Sequence, residues 1–175
     1  MDTTPKFLLE QLNRRYATKK FDSSKKLTDK QITLLTDAIH LAPSSFGLQP
    51  FKTVIISNNK IKEQLLPEAF YQEKVQNCSH LFVFCRYTDI TKKHINDYVA
   101  KAEEITKKPN EKFSDYKKIM IDSIESKSLK EKHARMTNQI YIALWFLLET
   151  CALCNIDAWP MEGFSPSWFS KILEI

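Results

Sequence analysis

The sequence predicts an α+β chain, on three observations. Cap signals open several segments whose apolar residues recur at helical spacing. Two short runs, residues 53–57 (TVIIS) and 80–86 (HLFVFCR), have the composition of strands. A third stretch, residues 140–154, is apolar on nearly every side, which suits a helix inside a core. Residues 1–175 then form a single domain, long enough to bury a substantial core.

The elements follow in order. A first helix starts at Thr4-Pro5, a cap residue with proline in the first turn, and runs to about Arg14. It places Phe7, Leu8 and Leu12 on one face. A second opens at Thr28-Asp29-Lys30-Gln31, a capping box, and continues to about Ala42, where Pro43 stops it. The loop PSSFGLQPF, residues 43–51, leads into the first strand. Residues 60–77 read as one or two short helices, and the second strand follows.

Between 91 and 135, twelve basic and eight acidic residues surround Ile95, Tyr98, Val99, Ala102 and Ile105 at helical spacing. Pro109 separates that helix from another over about 111–124, and neither is expected to be fully buried. Ser128-Leu129-Lys130-Glu131 is a second capping box. It opens a long helix to about Cys154, whose latter half is expected at the centre of the core. Residues 157–160 (DAWP) read as a third short strand ending in a turn.

Composition excludes several classes. The 26 basic and 21 acidic residues leave a net charge of +5, as compatible with a phosphate-bearing small molecule as with nucleic acid. Aromatic residues are not interleaved with the basic pairs, so no nucleic-acid partner is expected. The longest apolar run, residues 140–148, is too short to cross a bilayer, and no apolar leader is visible. Four cysteines in such a chain read as reduced thiols of a cytoplasmic protein. Cys151 and Cys154 have CxxC spacing but lie in the apolar helix without a second ligand pair, and the four histidines form no metal pattern. No metal is expected. Ser44 and Ser45 lack the GxSxG setting of a hydrolase nucleophile, and no GxGxxG or GxxxxGK[ST] is present.

Three stretches could carry chemistry. RRYATKK, residues 14–20, puts four cations at a helix end. It could hold a phosphate, although alone it reads more simply as a solvated basic loop. PSSFGLQPF gathers serine hydroxyls, a glutamine amide and Gly47 on a helix-to-strand loop, equally a ligand loop or a plain turn. WPMEGF, residues 159–164, holds Gly163, the only other glycine. A chain this poor in glycine is expected to keep it where no side chain fits.

Taken together and in order, these stretches resemble the nitroreductase family of FMN-dependent oxidoreductases, including its dihydropteridine reductase-like members. The segment FYQEKVQNCSHLFVFC and the helix NQIYIALWFLL add to the resemblance, which spans about Leu12 to Ile175. It implies an α+β fold with helices around a central mixed sheet, in an intertwined homodimer that binds FMN. It implies a ping-pong reaction in which NAD(P)H reduces the flavin and leaves, and a nitroaromatic, quinone or related small-molecule acceptor is then reduced.

Carried onto this chain, the resemblance assigns Arg15, Tyr16, Ala17 and Lys19 to the flavin phosphate and ribityl segment. It also sets Lys19 near the pyrimidine edge and the substrate. Ser44, Phe46 and Gly47 match the loop that approaches FMN across the dimer interface. Tyr71, Gln72 and Lys74 fall among polar flavin contacts, with Phe70 on the substrate side. Pro160, Met161, Glu162 and Gly163 match the segment beside the ring, with Glu162 as a proton or orientation residue. Family members continue past ILEI into a further strand and an arm, so a C-terminally short domain is expected. That difference keeps open a second reading, a non-catalytic or cofactor-poor relative that uses the fold for binding.

Overall fold

The computed structural model describes residues 4–107 and 111–175. Helix α1 (Pro5–Arg14) begins where Thr4 caps it, the threonine hydroxyl accepting from the Phe7 N–H at 3.3 Å. Helix α2 (Asp29–Leu41) opens on the expected box: the Thr28 N–H donates to Gln31 Oε1 at 2.9 Å, and the Gln31 N–H to Thr28 Oγ1 at 3.3 Å. Strand β1 (Phe51–Ile56) starts two residues earlier than the apolar run suggested.

Two short helices, α3 (Asn59–Leu65) and α4 (Glu73–Asn77), flank a 3₁₀ turn at Pro67–Ala69. After strand β2 (Leu81–Arg86) come α5 (Lys92–Thr106) and α6 (Glu111–Glu125). The break expected at Pro109 lies outside the described residues. Helix α7 (Leu129–Leu153) starts at its box, with the Ser128 N–H donating to Glu131 Oε2 at 2.8 Å. Helix α8 (Pro166–Leu173) ends the chain.

Two expectations are corrected. The α+β class holds, and its sheet is, among the described residues, one antiparallel pair, β1 with β2, continued by the Tyr87 N–H to the Pro50 carbonyl at 3.2 Å. Residues 157–160 form no strand. Their backbone link to another segment is the Thr18 N–H to the Ala158 carbonyl at 3.3 Å, and a ladder needs a repeated pattern of such bonds. The latter half of α7 is not buried all round: Ala143, Leu147 and Cys151 are buried, whereas Tyr141, Ile142 and Trp145 are exposed on the opposite side. An all-apolar helix can cover only the faces that neighbouring elements reach.

Helix α8 was not anticipated, although Ser165-Pro166 is the kind of start signal that opens α1. Its Phe169, 3% exposed, lies in a core with Ile56, Leu65, Ala69 and Val75, against which Met161 and Phe164 pack.

By packing, the described chain divides into two compact units built from segments distant in sequence. The first takes in the residues up to Leu41, Thr53–Val83 and Trp145–Ile175, around the core just described. The second takes in Ala42–Lys52 and Phe84–Leu144, around Ile90, Ile95, Val99, Met120, Ile124 and Met136. Phe46 and Leu48 of the 43–51 loop rest on that second core.

Candidate flavin site

Within the first unit, residues 158–163 join two other sequence-predicted stretches, residues 14–20 and 70–74. At one end the Ala158 carbonyl accepts from both the Thr18 N–H and Thr18 Oγ1, each at 3.3 Å. Thr18 is buried, so this bond pins the loop that carries Arg15, Tyr16, Ala17 and Lys19. Arg14 reinforces it by donating from Nη2 to the Ala152 carbonyl at 3.0 Å.

At the other end Gln72 holds the turn. Its Nε2 donates to the Gly163 carbonyl at 2.8 Å and to the Ala69 carbonyl at 3.0 Å, with the Met161 sulfur at 3.4 Å. Lys74 Nζ stands 4.0 Å from the centre of the Trp159 ring, a cation–π contact. The Ser165 N–H donates to the Glu68 carbonyl at 2.8 Å, and Phe164 packs against Phe169 with ring centres 4.6 Å apart and planes tilted by 50°. The segment beside Pro160 is therefore fastened at both ends.

Phe70 and Tyr71 are both left-handed, with φ of 53° and 54°. Each is a conformation that costs a non-glycine residue about 1–2 kcal/mol. The Tyr71 N–H to the Leu66 carbonyl (3.0 Å) and the Phe70 N–H to the Pro67 carbonyl (3.1 Å) hold them there. The result is to turn both rings outward, 65% and 71% exposed. Backbone strain held by surrounding bonds is a recurrent feature of binding sites.

The electrostatics suit an anion. Among the described residues, the side chains of Arg15, Lys19 and Lys20 have no carboxylate partner, so three neighbouring cations of this loop are left unneutralised. No described residue accepts from the N–H groups of Met161 and Gly163. Pro160, Glu162 and Gly163 are exposed beside them. Unpaired cations and unspent backbone donors fit a phosphate-bearing, acceptor-rich ring such as FMN.

The two glycines differ in their reasons. Gly47 has φ +71°, and a Cβ there would lie 2.6 Å from Tyr98 Oη, so this protein's own atoms demand glycine. At Gly163 a Cβ would meet Gln72 Nε2 at 3.6 Å and Phe70 at 3.9 Å, ordinary contacts. The expectation that no side chain fits is corrected there: nothing among the described residues forbids one.

Ser44, Phe46 and Gly47 belong to the second unit. Phe46 is left-handed (φ 61°, ψ 7°) and is followed by Gly47. The Gln49 N–H donates to Ser44 Oγ at 2.9 Å, and the Gly47 N–H to the Ser44 carbonyl at 2.8 Å. Two residues of α7 grip this loop and were not singled out in the sequence, Arg135 and Gln139. The available sign was Gln139, a polar residue at i+3 from buried Met136 and i−4 from buried Ala143.

Lys62 was also missed. It is 0% exposed, and its Nζ donates to the Gln76 and Cys78 carbonyls at 3.1 and 2.7 Å, closing the C-terminal end of α4. Burial holds its ammonium below the usual lysine range. Burial and the nearby Lys62 charge likewise lower His80, and burial raises Cys78. Burial pushes Cys151 up to about 12, the state of an inert core thiol. None of the four cysteines forms a disulfide, and no cluster of metal-ligating side chains occurs among the described residues. Among these residues no helix is long and apolar enough to cross a membrane.

Comparison with known proteins gives the family. A family profile described as the nitroreductase family matches residues 12–175. The major NAD(P)H-flavin oxidoreductase of Aliivibrio fischeri is 30% identical over 174 residues, 94% of this chain and 78% of that protein. A nitroreductase-like protein of Streptococcus mutans superposes with a TM-score of 0.88 at 16% identity, over 98% of this chain and 83% of that one. A protein of Exiguobacterium sibiricum solved in complex with FMN superposes with a TM-score of 0.85 at 18% identity, over 100% of this chain and 82% of that one. With its loop of unpaired cations, its fastened WPMEG turn and a profile match over nearly its whole length, the chain belongs to the nitroreductase family of FMN-dependent NAD(P)H oxidoreductases.

Proposed function

We propose that this protein transfers reducing equivalents from NAD(P)H through FMN to a small-molecule acceptor, a nitroaromatic, a quinone or a related compound, by a ping-pong mechanism. The observation that carries this reading is the meeting of residues 15–19, 70–74 and 158–163 around unpaired cations and spare N–H donors. Bound FMN supplies a ring that takes a hydride from one substrate and returns it to the next.

The residues of the chain bind and orient. Arg15 and Lys19 hold the phosphate and ribityl chain, supported by the backbone at Tyr16 and Ala17. Lys19 also offers a cation to the pyrimidine edge, where negative charge develops on reduction. Met161 and Gly163, on either side of Glu162, would offer their unspent N–H groups to the ring. Gln72 and Lys74 keep that turn in place from behind, and Tyr71 adds a polar contact. Phe70 presents an apolar face to the acceptor. Glu162 orients the donor or holds a proton at its carboxylate.

The active form is a homodimer in the cytoplasm, in which Ser44, Phe46 and Gly47 meet the flavin of the partner protomer. The exposed apolar face of α7, with Tyr141, Ile142 and Trp145, supports a subunit interface. Free thiols throughout support a reducing compartment.

The test is the visible spectrum of the purified protein after FMN is added and the unbound excess removed, before and after NADPH. A retained flavin band that bleaches, and returns on adding a quinone, is the expected result. A protein that retains no flavin at micromolar concentration would overturn the proposal.

A further inference from the structure

The loop 44–49 carries three left-handed residues, Phe46, Gly47 and Gln49, with φ of 61°, 71° and 41°. Two of them are not glycine, so bonds within the loop must be supplemented by something that favours this conformation. The supplement comes from α7. Gln139, 7% exposed, accepts the Ser45 N–H on Oε1 at 2.7 Å and donates from Nε2 to the Arg135 carbonyl at 3.1 Å. Its amide is thereby spent at both ends. Arg135 donates from Nη2 to Ser45 Oγ, and its guanidinium carbon lies 5.0 Å from the centre of the Phe46 ring. Tyr116 closes on the same ring edge-on, 5.9 Å between centres.

We infer that Arg135 and Gln139 are positioning residues for the flavin ring, acting through Ser45 and Phe46. This rests on the reading that loop 44–47 meets FMN. A guanidinium suits the task because one flat group can stack on Phe46 and hydrogen-bond Ser45 together; an ammonium is a point charge with no plane to stack. Gln139 sets the height of the loop by fixing a backbone N–H, and Arg135 sets the direction of Phe46. Neither residue needs to touch the flavin. Because they lie four apart on one helix, they share a face and turn as one body.

The experiment compares wild type, Arg135→Ala, Arg135→Lys and Gln139→Met in two measurements. Hydrogen exchange of the peptide covering residues 43–51 is followed without added flavin, and FMN affinity is read from quenching of flavin fluorescence. The expected result is exchange at least tenfold faster in that peptide for Arg135→Ala and Gln139→Met, with an FMN dissociation constant raised about tenfold. Arg135→Lys should restore the melting temperature but recover only part of the affinity, a split that a merely structural role would not produce. If the alanine variant fails to fold, the lysine and methionine variants give the same comparison.

Unchanged exchange in 43–51 would overturn the clamp itself. Faster exchange with unchanged FMN affinity would overturn its action on the flavin while leaving the proposed function standing. A wild-type chain that retains no FMN would remove the proposed function, and this inference with it.

Discussion

Gln72 donates its side-chain amide to the carbonyl of Gly163, 91 residues away, at 2.8 Å. The same nitrogen reaches the Ala69 carbonyl at 3.0 Å, so one side chain ties the turn after the 3₁₀ segment to the turn after Pro160. Replacing it removes two bonds worth about 0.5–1.5 kcal/mol each. Gln72→Ala should lose about 1–2 kcal/mol of stability by urea denaturation. Its FMN affinity, read by fluorescence, should fall because residues 161–163 lose their hold, and Gln72→Glu should fall at least as far, since its carboxylate would face the Gly163 and Ala69 carbonyls.

The glycines give opposite expectations. Gly47→Ala forces a side chain into the left-handed region and against Tyr98 Oη, and should cost about 1–3 kcal/mol. Tyr98→Phe in the same chain should return part of that loss, since it removes the nearest atom. Gly163→Ala should leave stability within about 0.5 kcal/mol, because the chain has room for the methyl group. Its FMN affinity should nevertheless drop. Equal FMN binding by Gly163→Ala and wild type would show that no ring lies against that backbone.

Arg15 and Lys19 should behave as binding residues without structural duty. Neither side chain has a partner among the described residues, so Arg15→Ala and Lys19→Ala should each melt close to wild type. Each should weaken FMN by about tenfold or more, the scale of one charge-assisted hydrogen bond. Raising the ionic strength should shrink that difference for whichever of the two is more exposed to solvent.

Lys62 should leave a pH signature. Burial lowers its pKa in the folded chain from the ordinary 10.5. Above the lowered value the folded protein has released this proton while the unfolded chain still binds it. Stability from this group therefore rises with pH through that window, up to about the ordinary lysine value. Unfolding free energies measured at pH 8, 9 and 10 should show wild type gaining on Lys62→Met as pH rises. A constant difference across the three values would mean that the buried group does not titrate there.

Much of the fold was legible because its signals are local. The Thr28 and Ser128 boxes close over three residues, and the structure contains both. Helix α8 was legible too, from Ser165-Pro166, but its short length and the adjoining motif drew no assignment. The candidate site was legible in composition rather than geometry. RRYATKK, YQEK and WPMEG could be named from their residues, while Lys62 could not, since it reads as an ordinary surface residue until its surroundings are known. DAWP has strand composition, yet a strand exists only when a neighbour supplies the ladder, and here the neighbour offers Thr18.

The sequence by itself determined the order of elements, their caps, the clustering of cations at residues 14–20 and membership of the family. These rest on i to i+3 and i+4 relations, or on residue types in a fixed order, and both survive in an extended chain. Only the tertiary structure decided that Gln72 holds Gly163, that Arg135 grips Ser45 across 90 residues, that Lys62 is buried and that one face of α7 stays bare. Those relations depend on which surfaces pack together. Packing selects side-chain partners by shape and unmet hydrogen bonds, and no short window of sequence contains both halves of such a pair.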